Sequence, residues 1–205
     1  NSVDVALLLN GIPLVCLELK NPLTGQNVDD AVRQFRQDRS PNDLFFSFKR
    51  RVLVCFAVDP YHVRMTTRLA GEQTFFLPFD QGSNGAGEVG GAGNPQPRNG
   101  DYATAYLWKQ VLNRDALLEL LQKFLHLEVK EEKDPKTGKV DRKETLIFPR
   151  YHQWDVLHKV LADVREKGPG QNYLIQHSAG SGKSNSIAWL AHRLTGLHDD
   201  RDEKI

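Results

Sequence analysis

Near the end of the chain, Asn172-Tyr173-Leu174-Ile175-Gln176 reads as a short apolar strand. His177-Ser178-Ala179-Gly180-Ser181-Gly182 follows as a small-residue loop, and Lys183-Ser184 opens a helix. This order constrains the fold strongly, because small residues let backbone N–H groups turn inward around an anion. The spacing is that of a P-loop. Gly180, Ser181 and Gly182 line the turn, Lys183 is placed to reach the β- and γ-phosphates of a nucleotide, and the Ser184 hydroxyl is placed to hold Mg²⁺. The helix beyond is expected to pack through Ile187, Leu190, Ala191 and Leu194 and to point its positive end at the same phosphates. The consensus begins with Gly, and here that position is His177. A plain glycine turn would explain Gly180 and Gly182, but not the Lys-Ser after them.

The first eighty residues carry a second set of chemical groups. Val3 to Leu9 reads as a strand, Asn10-Gly11 as a hairpin turn, and Leu14 to Lys20 as the return strand. Glu18 and Lys20 are two apart and share a face. Register decides whether Asp4 joins them. A plain two-residue turn sets Asp4 against Leu17, whereas a longer loop or one bulge sets it against Glu18. Pro13, which cannot donate to a ladder, favours the irregular loop. Asp4, Glu18 and the carbonyl of Leu19 would then form a hard-oxygen set for Mg²⁺, with Lys20 beside the developing charge of a phosphodiester under attack. The plainer alternative is a solvated ion pair at an exposed strand end.

Asn27 caps an expected helix with Val28, Ala31, Val32 and Phe35 at helical spacing. Arg33, Gln34, Arg36 and Gln37 on its polar face, with Arg39, Lys49, Arg50 and Arg51 beyond it, are candidate nucleic-acid contacts. A solvated helix face is the alternative for each. Val52 to Val58 is apolar throughout and predicts a buried central strand. His62 to Leu69 alternates, with Val63, Met65, Thr67 and Leu69 expected inward. These elements make a small mixed α/β sheet spanning 1–80.

Residues 81–100 hold seven glycines and two prolines, which predicts a mobile surface insertion. Residues 101–145 read as two linker helices, Tyr102 to Leu112 and Ala116 to Leu127, then a charged hairpin from Glu128 to Glu144 turning at Asp134 to Gly138. Residues 146–205 begin a second domain with a helix through Trp154, Leu157, Val160, Leu161 and Val164. Gln153, about twenty-five residues ahead of the P-loop, carries an amide able to read adenine, although a surface Gln on a first turn is the simpler reading.

Net charge is +1, so any nucleic-acid footprint is local, not global. The two cysteines, Cys16 and Cys55, lie in apolar runs and imply no disulfide framework. No apolar run approaches transmembrane length, and a reducing cytoplasm is expected. Both ends read as cut. Nothing after Ser184 offers the acidic strand end that ATP hydrolysis requires, so this piece alone is not expected to hydrolyse ATP.

In this order the pieces resemble the R (motor and restriction) subunit of type I restriction–modification enzymes. The resemblance rests on "DVALLLNGIPLVCLELK", "FPRYHQW" and "HSAGSGKS", and implies a PD-(D/E)xK nuclease-like mixed sheet followed by the start of a RecA-like P-loop motor domain. It assigns Asp4, Glu18 and Lys20 to the nuclease cluster and Gln153 to the adenine-reading motif. It matches Gln34 to a Gln-rich motif whose usual Tyr is here Asp38. It implies ATP and Mg²⁺ as cofactors, and double-stranded DNA plus methylation and specificity subunits as partners, with no membrane. Competing readings are a DNA-repair helicase–nuclease and a nucleotide-regulated DNA-binding scaffold with a decayed nuclease.

Overall fold

The structure, a computed structural model, describes residues 2–97, 100–133 and 137–198. β1 (Val5–Leu9) and β2 (Ile12–Leu19) form an antiparallel hairpin. Asn10 and Gly11 between them both have positive φ, 49° and 80°, as a two-residue turn between right-twisted strands demands. Leu9 pairs with Ile12 and Leu8 with Pro13, but Leu7 pairs with Val15. Leu14 is therefore bulged out, beside the proline that cannot donate, and every pair beyond it is shifted by one.

α1 (Val28–Gln37) crosses from β2 to the parallel β3 (Val54–Val58), and β4 (Val63–Thr66) and β5 (Leu77–Pro78) follow antiparallel. The sheet order is β1-β2-β3-β4-β5, so β3, buried at every position, is central as expected. Asn27 caps α1 through the N–H of Asp29, and Asp30 reaches back to the Asn27 N–H. The expected outer strand is shorter than its alternating pattern. It ends at Thr66, which is buried and bonds to the Arg68 carbonyl instead of facing solvent.

The two faces of the sheet serve different purposes. On β2 and β3 the two-residue period sends Cys16, Cys55 and Ala57 toward α1, where they pack with Val28, Ala31, Val32 and Phe35. The other face sends Val15, Leu17, Val54, Phe56 and Val58 into a larger core with Phe79, Tyr106, Leu107, Phe124, Phe148, Tyr151 and Trp189. Residues from both halves of the chain thus share one core.

The segment after residue 80 has no strand or helix up to residue 97, yet it is tied down. Asn94 accepts from the Gln81 N–H and donates to the Tyr61 carbonyl and to Asp80, and Gly82 and Ser83 bond to Gly93 and Gly91. The linker helices are shorter than expected. Leu107–Val111 and Leu120–Phe124 are wide π-type turns, α2 spans Arg114–Glu119, and Leu125 leaves the helix so that β6 (His126–Lys133) begins one residue later. β6 pairs with β7 (Val140–Ile147) in the expected charged hairpin. Of its turn, Asp134, Pro135 and Lys136 lie outside the described residues. A lone two-stranded ribbon is marginal in water. This one is anchored at its base by buried Leu146 and by the Thr67 hydroxyl, which donates to the Leu146 carbonyl at 2.7 Å.

α3 (Tyr151–Lys167) buries Trp154, Leu157, Val160, Leu161 and Val164, as its spacing predicts. α4 (Lys183–Thr195) departs from expectation. Ile187 is exposed, and the inward residues are Ser186 and Trp189, whose indole N–H donates to the Phe124 carbonyl at 3.0 Å. Leu190 and Leu194 of the expected stripe do pack, half-buried, while Ala191 is exposed like Ile187, so the large indole with its polar end shifts the packing face instead of replacing it. Residues 172–176, expected as a strand, form none. No strand lies beside them among the described residues, so their backbone groups have no ladder to join.

Phe56 is fully buried and its ring meets Phe79 and Phe148 edge-on, with centroids 5.2 and 6.0 Å away. Phe56→Ala is expected to lower unfolding stability by about 3–5 kcal/mol. Denaturant unfolding followed by tryptophan fluorescence checks this, since Trp154 and Trp189 share that core.

Candidate active site and glycine loop

The bulge at Leu14 has a direct chemical consequence. With Leu17 opposite Val5, the next position sets Asp4 against Glu18. The offset that a joint role for the two carboxylates requires is present. Asp4 Oδ2 accepts from the Leu19 N–H at 2.7 Å, which fixes its carboxylate to the end of β2. Glu18 is wholly buried on the α1 side, and its Oε1 takes two contacts from Arg39, Nη2 at 2.6 Å and Nε at 2.8 Å. Its Oε2 is buried without a partner. Burial pushes the Glu18 carboxyl above the ordinary carboxylate range, Arg39 pulls it back down, and neighbouring Asp4 adds to the upward push.

Lys20, one pleat further on, has its ammonium hydrogen-bonded to the Gln34 side chain of α1. The three residues Asp4, Glu18 and Lys20 are thus brought to one end of β2. Each is held by a different group: a backbone N–H, a buried guanidinium and a side-chain amide. Among the described residues no cluster of three or more His, Cys, Asp and Glu side chains gathers for a metal. The set available to a cation is the smaller one of two carboxylates and a carbonyl. Arg39 was not separable by spacing from the other basic residues near it. No local pattern marks an arginine that folds back under its helix.

The proposed basic patch is not assembled as one surface. Arg33 pairs with Asp30 at 2.9 Å, Arg36 donates twice to the Thr74 carbonyl, Gln34 holds Lys20, and Lys49 pairs with Glu144 of β7. Arg50 lies exposed in the turn before β3. Most of these side chains are engaged within the protein because acidic and carbonyl partners lie within reach of each.

At the glycine loop, Gly180 and Gly182 have φ of 71° and 82°, the left-handed region that a side chain rarely adopts. Lys183 folds over the loop and donates to the carbonyls of His177 and Ser178 at 3.2 and 3.0 Å. The hydroxyls of Ser181 and Ser186 and Nδ1 of His177 are buried without partners. Ser184 is exposed on the first turn of α4. Gln153 is buried, contrary to a surface position. Its Oε1 accepts from the Arg150 N–H and its Nε2 donates to the Gly182 carbonyl, each at 2.8 Å. A Cβ on Gly182 would lie 2.6 Å from that amide, so glycine is required there for the approach as well as for φ. A cavity of about 590 Å³ opens beside this loop, between the Arg68 end of β4, Glu144 of β7, and Gln153.

His152, which the sequence did not single out, presents Nε2 to the Ser181 carbonyl at 3.1 Å and meets the His177 ring at 4.6 Å. Burial lowers its pKa from 6.5 to about 4, against the Ser181 carbonyl and with help from Arg150 and His177. His177 is lowered too, by burial and then by Lys183 and Arg150. A histidine held neutral in the folded state contributes stability that is complete above pH 6.5 and is lost as pH falls toward 4. His152→Gln, which keeps a donor for Ser181, is expected to flatten that acid limb. Thermal unfolding of both proteins across this range measures it.

No helix among the described residues is long and apolar enough to cross a membrane. Residues 1–74 match the family model described as the type I restriction enzyme R protein N terminus. No curated protein and no solved structure matches the chain. The matched stretch contains the whole β1–β2 hairpin, α1 and Arg39, which are the elements that build the carboxylate–lysine site. Over residues 1–74 the chain is therefore similar to the N-terminal region of type I restriction enzyme R proteins.

Proposed function

We propose that this chain is part of an ATP-dependent type I restriction endonuclease subunit, one that translocates double-stranded DNA and cleaves it at a Mg²⁺-dependent Asp4/Glu18/Lys20 site. The observation that carries the reading is the bulged hairpin, which sets Asp4 against Glu18 with Lys20 beside them. A scaffold with a decayed nuclease would have no need of that offset. A repair helicase–nuclease is disfavoured by the family match over the same residues.

The donor set fits a hard divalent cation. Glu18 Oε2 is buried and unpartnered, Asp4 is fixed by one oxygen to the Leu19 N–H, and the carbonyl of Leu19, the residue after Glu18, would complete the set. When bound, such a cation supplies Lewis acidity toward a phosphodiester and lowers the pKa of water. The protein's own part is placement. Gln34 fixes the Lys20 ammonium where negative charge grows on the phosphate oxygens, and Arg39 offsets the cost of burying Glu18.

The second half of the reading is the start of a RecA-like motor with ATP at the glycine loop. Its support is the loop geometry. Two left-handed glycines, buried unpartnered hydroxyls and Lys183 folded onto loop carbonyls suit a phosphate chain, whose oxygens would replace those carbonyls as partners of Lys183. Ser184 would hold the Mg²⁺ of the nucleotide, and the adjoining cavity has room for the base. Gln153 acts in this reading first as a brace for the loop, and would contact adenine by exchanging its bonds to Arg150 and Gly182. The methylation and specificity subunits are the proposed partners, the latter choosing the DNA site, and the cytoplasm is the proposed compartment.

The test uses the full R subunit assembled with its partner subunits on a circular DNA carrying the target. Asp4→Ala and Glu18→Gln are expected to abolish cutting, and Lys20→Ala to slow it on the order of 10²–10³-fold, all with ATP hydrolysis intact. Lys183→Ala is expected to abolish ATP hydrolysis. Cutting that survives Glu18→Gln would refute the site.

A further inference from the structure

Arg39 stands just past Asp38, the C-cap of α1, and its side chain runs back beneath the helix to become almost fully buried. Its guanidinium makes three contacts in two directions. Nε and Nη2 both meet Oε1 of Glu18, at 2.8 and 2.6 Å, and Nη2 also donates to the Ser2 carbonyl at 2.8 Å. One planar group therefore spans the strand that carries Glu18 and the segment two residues before Asp4.

The geometry is asymmetric. An arginine paired with a carboxylate commonly takes both oxygens through parallel N–H bonds. Here both contacts fall on Oε1, and Oε2 is left buried with no partner. Nothing in the packing of α1 needs this arrangement, since the apolar face of the helix is complete with Val28, Ala31, Val32 and Phe35.

We infer that Arg39 is a positioning residue for the phosphodiester site. By holding Oε1 of Glu18 and the Ser2 carbonyl together, it makes Glu18 offer Oε2 alone to a divalent cation and sets the spacing between Asp4 and Glu18. This rests on the nuclease reading of the Asp4/Glu18/Lys20 site. Lysine at this position would keep the charge but not the planar fork that serves two acceptors at once. Ligand-orienting partners of this kind are worth about 10–100-fold in metal affinity.

The test is a Mn²⁺ titration followed by electron paramagnetic resonance, with the thermal midpoint of each protein recorded alongside. It compares the wild-type chain with Glu18→Gln, Arg39→Gln and Arg39→Lys. Wild type is expected to bind Mn²⁺ and Glu18→Gln to lose it. Arg39→Gln is expected to bind about 10–100-fold more weakly, with Arg39→Lys between the two. In the assembled enzyme, excess Mn²⁺ is then expected to restore cutting to Arg39→Lys with its ATP hydrolysis unchanged. Affinity in Arg39→Gln equal to or tighter than wild type overturns the inference and makes Arg39 a competing cation instead. Where Arg39→Gln does not fold, wild-type affinity in Arg39→Lys overturns it equally. Absence of Mn²⁺ binding by the wild-type chain removes the metal-site reading itself and the role of Arg39 with it, a result distinct from a defect confined to the Arg39 variants.

Discussion

A carboxylate with no exposure to water is the costliest group in this structure, and much of the first eighty residues is arranged around it. Glu18 lies on an otherwise apolar strand, facing α1. A buried anion without a counter-charge is not tolerated, so the chain brings Arg39 back beneath the helix to meet it. Arg39 in turn fixes the Ser2 carbonyl, which sets the approach to β1 and the position of Asp4. Two of the three side chains at the end of β2 are steadied from α1 and the residues just after it, Lys20 by Gln34 and Glu18 by Arg39. The capping box at Asn27 and Asp30 thus fixes the start of an element whose far end organises the site.

The same sheet explains how the two halves of the chain come to share one interior. Strand periodicity divides β2 and β3 into a face for α1 and a face for everything that follows. Phe56 meets Phe79 and Phe148, Phe79 meets Tyr151, and Tyr151 meets Tyr106 and Trp154, a chain of edge-on and tilted rings that leads from the central strand into α3. Trp189 closes it from α4, anchored to the Phe124 carbonyl. The carboxylate–lysine end of the sheet and the glycine loop are therefore set on a common packed body. Dense cores pass small displacements between neighbours without absorbing them.

Local signals sufficed for α1, its cap, the central strand, the charged hairpin and α3, because each depends on period, capping or composition over a few residues. The site was half legible. Glu18 and Lys20 announce a shared face by spacing, and Pro13 announces an irregular ladder, but which residue bulges is decided by the pairing itself. Arg39 was hidden because its importance depends on what lies across the helix, and the sequence around it offers several other basic side chains of equal appearance. The basic side chains show the same dependence in reverse. Arg33, Arg36 and Lys49 look free in a linear reading, and each finds a partner once the chain folds. On α4 the aliphatic stripe was right for Leu190 and Leu194 and wrong for Ile187, because the indole of Trp189, with a polar end to satisfy, rotates the buried face.

The glycine loop shows the limit of local reasoning most clearly. A strand is a property of two segments, and Tyr173, Leu174 and Ile175 have strand-like side chains but no neighbour to pair with among the described residues. The loop beyond them nevertheless keeps a definite shape, for reasons that do not depend on a strand. Gln153 bridges the Arg150 N–H and the Gly182 carbonyl, His152 meets the Ser181 carbonyl, and Lys183 caps two further carbonyls. Two of those three supports come from the first turn of α3, which is itself seated in the shared core through Tyr151 and Trp154. A residue whose identity suggests base recognition thus has a prior mechanical task. Any new contact made by its amide would come at the cost of its bonds to Arg150 and Gly182. The first turn of α3 and the shape of the glycine loop are thus tied through a single side chain.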